Sequence, residues 1–130
     1  MKEKLYSFGM HTDQVEKMLS ELISENFLNE ERYALAFAGG KFRIKGWGKV
    51  KIRLELKKNQ VGDYCIRKAL ASIDADQYQS RLEKLFEEKK RLLKSEKNIF
   101  IRKRKIRDFL LQRGYEPDLV MDIINKKTED

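Results

Sequence analysis

The chain has 130 residues, 41% hydrophobic and 38% charged, with seven glycines, one proline and a formal net charge of +8. Such a composition suits one domain or a short array of small repeats, with a thin core under a charged surface and helices favoured over sandwich-type turns. It excludes an internal disulfide and a Cys–His metal cage, because Cys65 and His11 each stand alone.

No apolar run approaches the roughly 18 residues of a membrane span, and no signal-peptide core follows Met1–Lys4. The expectation is a reduced, cytoplasmic protein with no membrane segment, no metal and no cofactor. The excess charge is segregated. Residues 1–30 carry a net −3, residues 31–73 a net +8 and residues 74–130 a net +3. An uneven excess points to a polyanion-facing surface, with a merely solvated helix face as the alternative.

In chain order, one spacing occurs three times. It is centred on Gly9, Gln60 and Gly114, each read as the stop of a helix. Four residues before the stop stand Leu5, Leu56 and Leu110, and just after it Met10, Val61 and Tyr115. Val15/Leu19, Ile66/Leu70 and Val120/Ile124 then form i, i+4 stripes, and Ile52 and Ile106 extend the match in the later copies. Physically this is a helix, a left-handed stop that glycine suits, and a second helix beginning near Thr12, Asp63 or Pro117.

A further helix precedes the pair in copies two and three. Asn29 is read as the cap of a helix over 30–42, with Tyr33, Ala34 and Phe37 inward. Tyr78, Leu82, Leu85 and Phe86 mark the inner face of a longer helix over 76–93. The predicted fold is all-α: elongated tandem three-helix repeats, two complete units plus a partial N-terminal one, divided at 1–28, 29–74 and 75–130.

The candidate binding residues lie mainly in the second unit. Lys41, Arg43, Lys45, Lys49, Lys51, Arg53, Lys57 and Lys58 face only Glu55 within 41–58. Lys49, Arg53 and Lys57 recur at i, i+4 and i+8, a ridge beside Ile52 and Leu56 that can follow phosphates or meet acidic residues of a partner. Trp47, between Gly46 and Gly48, either anchors this loop in the inter-unit core or stacks on a base or partner. Arg102, Lys103, Arg104, Lys105 and Arg107 form a second basic run on the equivalent helix of the third unit, and the two runs are expected to share one face. Cys65 reads as a boundary packing residue. No phosphate-cradling glycine loop, serine elbow or zinc spacing occurs, so catalysis is not expected.

Phe27-Leu28-Asn29-Glu30-Glu31-Arg32-Tyr33-Ala34, then Lys45-Gly46-Trp47-Gly48, then Ile52-Arg53-Leu54-Glu55-Leu56 resembles the central signature of the RecX family. The ending Asp108-Phe109-Leu110-Leu111-Gln112-Arg113-Gly114-Tyr115 is similar to that family's last-unit motif. The resemblance runs from about Leu5 to Lys126. Gln60 stands where the family usually has glycine, and Lys49 where proline is common. The resemblance implies a monomeric, non-enzymatic modulator that binds the RecA–single-stranded-DNA filament and restrains ATP hydrolysis, strand exchange and co-protease action in DNA repair. The alternative is a free-standing helical nucleic-acid binder of helix-turn-helix type, although Tyr64–Ile73 and Leu119–Lys127 are poor in base-reading side chains.

Overall fold

A computed structural model describes residues 12–127, with side chains from residue 25 onward. Six α-helices are present and no strand among the described residues: α1 (Thr12–Gly40), α2 (Lys49–Lys58), α3 (Asp63–Ala71), α4 (Ala75–Leu92), α5 (Ile99–Gln112) and α6 (Pro117–Lys127). A π-helical turn, Lys41–Lys45, extends α1 and ends at Gly46 in the left-handed conformation, φ 69°. The end of α1 packs on α3, which also packs on α2, while α4 packs on α5 and α5 on α6. These are two three-helix units, sharing one continuous core.

The spacing seen in the sequence is a pair of matching helix stops. Val61 N–H donates to the Leu56 carbonyl (3.0 Å) and Gln60 N–H to that of Lys57 (2.9 Å). In the next unit Tyr115 N–H donates to the Leu110 carbonyl (3.2 Å) and Gly114 N–H to that of Leu111 (3.0 Å). Each pair satisfies carbonyls that a helix end leaves orphaned, and the apolar residue after the stop packs back on the helix it leaves. Leu56, Val61, Leu110 and Tyr115 are accordingly all buried, as are Ile52, Ile66, Ile106, Val120 and Ile124. Gln60 occupies the left-handed region at φ 64° where the third unit has Gly114 at φ 98°.

The helix starts follow ordinary capping chemistry. The Asp74 carboxylate accepts Gln77 N–H (2.9 Å) at the head of α4, and Asn98 accepts Phe100 and Ile101 N–H at the head of α5. Tyr78, Leu82, Leu85 and Phe86 form the buried face of α4, as their spacing predicts.

The expected cap at Asn29 is wrong. α1 runs unbroken through it, because 23–36 contains no glycine or proline and is rich in helix formers, so one interior asparagine costs well under 1 kcal/mol. Glu30 and Glu31 serve a neighbouring helix instead. Glu30 accepts Gly62 N–H at the head of α3, and Glu31 pairs with Lys68 at 2.9 Å. With the helix continuous, the inward face is Ala34, Ala38 and Phe42; Phe37 is half-buried and Tyr33 is 46% exposed. The boundary drawn between residues 28 and 29 falls inside α1. Leu5, Gly9 and Met10 of the first copy, and the side chains of Val15 and Leu19, lie outside the described residues.

The units join through backbone. Gly48 N–H donates to the Arg113 carbonyl and Val50 N–H to the Gly114 carbonyl, both at 2.9 Å. The first turn of α2 is thereby capped by the last turn of α5, partial positive against partial negative dipole ends. A Cβ on Gly48 would lie 2.3 Å from the Gly114 carbonyl, and one on Gly114 would lie 2.3 Å from the Lys51 Cβ. Around this contact Lys49 N–H donates to the Tyr78 hydroxyl (2.9 Å), which donates to Glu116, while Tyr115 donates to the Gly46 carbonyl (3.1 Å). The rings of Phe42, Tyr78 and Tyr115 pack in series at 5.7 and 5.1 Å.

Three outcomes follow from this geometry. In urea unfolding, Gly48→Ala is expected to cost about 3 kcal/mol or more, since backbone must move apart. Gln60→Gly is expected to stabilise by about 0.5–1 kcal/mol through relief of the left-handed strain, part of it lost to unfolded-chain entropy. Burial pushes the Tyr115 hydroxyl up to about 12, and burial with the Glu116 bond pushes Tyr78 higher still. Their raised values favour the protonated fold, so their contribution is complete below pH 10 and is lost as pH climbs towards 12. Tyrosinate absorbance should show these two ionising well after the exposed tyrosines; titration of every tyrosine near pH 10 contradicts the buried joint.

Candidate functional site

The basic residues of the second unit divide into those built into the joint and those left to solvent. Lys41 and Lys51 place their ammonium groups 5.0 and 4.5 Å from the Trp47 ring centre, and Phe37 meets that ring edge-on at 6.3 Å. Trp47 is half-buried against the core, so its loop is anchored while part of the indole, with two lysines over it, borders the surface. Lys49 lies 4.9 Å from the Tyr78 ring centre. Arg43 and Lys45 project outward, but their carbonyls accept from Arg81 (3.2 Å) and Arg113 (3.0 Å) of the third unit.

Arg53, Lys57 and Lys58 are exposed on α2, Arg53 and Lys57 flanking the buried stripe of Ile52 and Leu56 on the side that faces α3. Arg53 and Lys57 share a cleft of about 310 Å³ with Asp63, Ile66 and Arg67. Lys57 reaches Asp63 at 3.8 Å between two well-exposed side chains, a contact worth little in water. Among the described residues Lys45, Arg53 and Lys58 have no carboxylate partner. The ridge of Lys49, Arg53 and Lys57 is thus one joint residue, one cation with no carboxylate partner and one in a weak surface ion pair.

On α5 the run divides again. Arg102 turns back to the Glu96 carbonyl, its Nε at 3.1 Å, and caps the loop before the helix. Lys103, Arg104 and Arg107 line a cleft with Phe100 and α6, and Arg107 also reaches Asp108 at 3.4 Å. Lys105 is exposed. The joint links the first turn of one basic helix to the last turn of the other. Arg53 lies about 8 Å of helix rise from Gly48, and Arg107 about 10 Å from Gly114.

Sequence reasoning placed Tyr78 on a buried face without its part in the joint, and missed Arg81, Arg113 and Glu116 there. Arg81 also lines a groove of about 390 Å³ between the units, with Arg43 and Lys84. The only signal in the sequence was the position of Arg113 and Glu116 on either side of Gly114-Tyr115. Cys65 is 2% exposed, and burial, then the nearby Glu30 and Glu31 charges, pushes its thiol up, away from the reactive thiolate. A hydrogen bond to Glu31 holds Lys68 protonated to higher pH than usual. No group of three His, Cys, Asp or Glu able to hold a metal occurs among the described residues, and none of their helices is long and apolar enough to cross a membrane.

Comparison with known proteins identifies the lineage. Residues 29–70 match the second three-helix domain of RecX, and residues 76–124 match its third. The regulatory protein RecX of Clostridium perfringens (strain 13) is 28% identical over the whole of this chain, which spans 61% of that protein. The regulatory protein RecX of Thermotoga petrophila is 31% identical over 97% of the chain and 72% of its own length. The crystal structure of RecX from Lactobacillus salivarius superposes with a TM-score of 0.71 at 23% identity, covering 98% of this chain and 82% of that one. The chain belongs to the RecX family, whose matched members are named regulatory proteins.

Proposed function

We propose that this protein binds the RecA–single-stranded-DNA filament and restrains its ATP hydrolysis and strand exchange, acting in the cytoplasm by binding rather than catalysis. Family membership supports a regulatory role. The observation that carries the binding mode is the set of cations with no carboxylate partner among the described residues of the second unit: Lys45, Arg53 and Lys58. The basic runs of α2 and α5 form one positive face along which a single monomer bridges neighbouring protomers. Several weak charge contacts then add through effective concentration, without a large apolar interface. The helix-turn-helix alternative is disfavoured by α6, whose two acidic residues, Asp118 and Asp122, balance Lys126 and Lys127 and leave no net charge to attract phosphate.

Arg53→Glu with Lys57→Glu isolates the ridge better than any variant touching Lys49, which packs on Tyr78. Both side chains are exposed, so the helical circular dichroism should be unchanged. Titrated into RecA turning over ATP on single-stranded DNA, the wild type should inhibit and the double variant should need about tenfold more protein. The slope of log affinity against log salt should fall by about 1 for each phosphate the variant leaves unneutralised. If the wild type leaves the ATPase untouched, the filament reading is wrong. If the folded variant inhibits equally, the ridge is a solvated face.

A further inference from the structure

The two units are built on one plan, so residues at equivalent offsets can be compared within the chain. Seven residues before the helix stop stand Arg53 in the second unit and Arg107 in the third; seven after it stand Arg67 and Met121. In each unit this pair lines the cleft between the unit's last two helices. The chemistry of the clefts differs. The second unit's is mostly charged, with Arg53, Lys57, Asp63 and Arg67 around a single apolar residue, Ile66. The third unit's, of about 200 Å³, has Met121 and Ile124 on one wall and Phe100 at its mouth, with Lys103, Arg104 and Arg107 along α5.

Phe100 is 81% exposed and Met121 44% exposed. Asn98 fixes the start of α5 by accepting the Phe100 backbone N–H at 2.9 Å, so the ring is presented from an ordered turn. Lys103 and Arg104 have no carboxylate partner among the described residues. An exposed aromatic beside a methionine wall, rimmed by cations with no local counter-charge, matches an occupant with the opposite arrangement: apolar anchors flanked by carboxylates.

We propose that the α5–α6 cleft is a docking site for an acidic amphipathic helix of a partner protein, whose apolar side chains cover Phe100 and Met121 while its Asp or Glu residues meet Lys103 and Arg104. Nucleic acid fits less well, because Phe100, Met121 and Ile124 form an apolar side of the cleft that offers phosphate nothing. The second unit then supplies phosphate-type contacts and the third a protein contact. The proposal rests on the binding role given above to the chain as a whole, but its test contains no filament, so the two stand or fall separately.

The probe is a fluorescein-labelled helical peptide with Leu and Phe at i, i+3, i+4 and i+7 and Glu on both flanks, alongside its Glu→Gln counterpart and a labelled oligothymidylate. Anisotropy titrations are run on the full chain as wild type, Phe100→Ala, Arg104→Glu and, as an exposed apolar control outside the cleft, Leu92→Ala. The acidic peptide should bind wild type and Leu92→Ala alike, and weaken about tenfold or more in Phe100→Ala and in Arg104→Glu, as loss of an interface anchor does. The Gln peptide should bind wild type less well than the Glu peptide.

The proposal is overturned if the acidic peptide does not bind, if Phe100→Ala binds it unchanged, or if the Gln peptide binds equally. It is equally overturned if Phe100→Ala lowers only oligothymidylate binding, which makes the occupant nucleic acid. Concentration-dependent self-association abolished by Phe100→Ala makes the occupant a second copy and has the same consequence. Failure of RecA inhibition with peptide binding intact leaves this site standing and removes only the filament reading.

Discussion

Two backbones touch at one point, and the rest of the arrangement depends on it. Gly48 and Gly114 approach so closely that neither leaves room for a Cβ, and through that gap the carbonyls at the end of α5 take the N–H groups at the start of α2. Neither helix end could be buried without those partners, since an unsatisfied buried backbone group costs about 1–3 kcal/mol. The contact therefore caps two helices and joins two units. It also sets where Trp47, Arg43 and Lys45 stand relative to the third unit, because the loop that carries them is tied down by Arg81, Arg113 and Tyr115.

A chain with 38% charged residues has little apolar material for two three-helix units. Part of the shortage is met by basic side chains that lie over aromatic rings. Lys41 and Lys51 lie over Trp47, Lys49 over Tyr78, Lys89 and Arg113 over Phe109, and Lys90 over Phe86. Each sets its charged head within about 6 Å of the centre of an aromatic ring. The same cations thus serve packing and surface potential together, which is why a count of basic residues overstates the number free to bind. Arg102 and Lys49 are consumed largely by structure, whereas Arg53, Lys58, Lys103 and Arg104 are not.

The division of labour proposed between the units fits this economy. Both clefts between the last two helices of a unit are products of the same helix stop, and the stop dictates the backbone but not what lines the groove. An arginine at one equivalent position and a methionine at the other turn one scaffold into two kinds of surface. A repeat can diversify in this way without disturbing Leu56, Val61, Leu110 or Tyr115, which hold each stop together from inside.

The sequence by itself determined the helix stops, because the left-handed residue and the apolar residues four before and one after it are local requirements of a helix end. It also determined the buried faces of α2, α4 and α5 and the location of the cationic excess, which are matters of periodicity and composition. The end of α1 was misread for a local reason with a distant cause: Glu30 and Glu31 look like the first turn of a new helix, but their partners, Gly62 N–H and Lys68, lie some thirty residues on. Only the tertiary structure decided which cations are free, since that depends on rings and carbonyls brought in from the other unit. It alone revealed Tyr78, Arg81, Arg113 and Glu116 as parts of the joint, and it alone placed Phe100 at a cleft mouth. A motif records what a residue does to its own stretch of chain, whereas the closeness of Gly48 to Gly114 is a property of two stretches that meet only once both have folded.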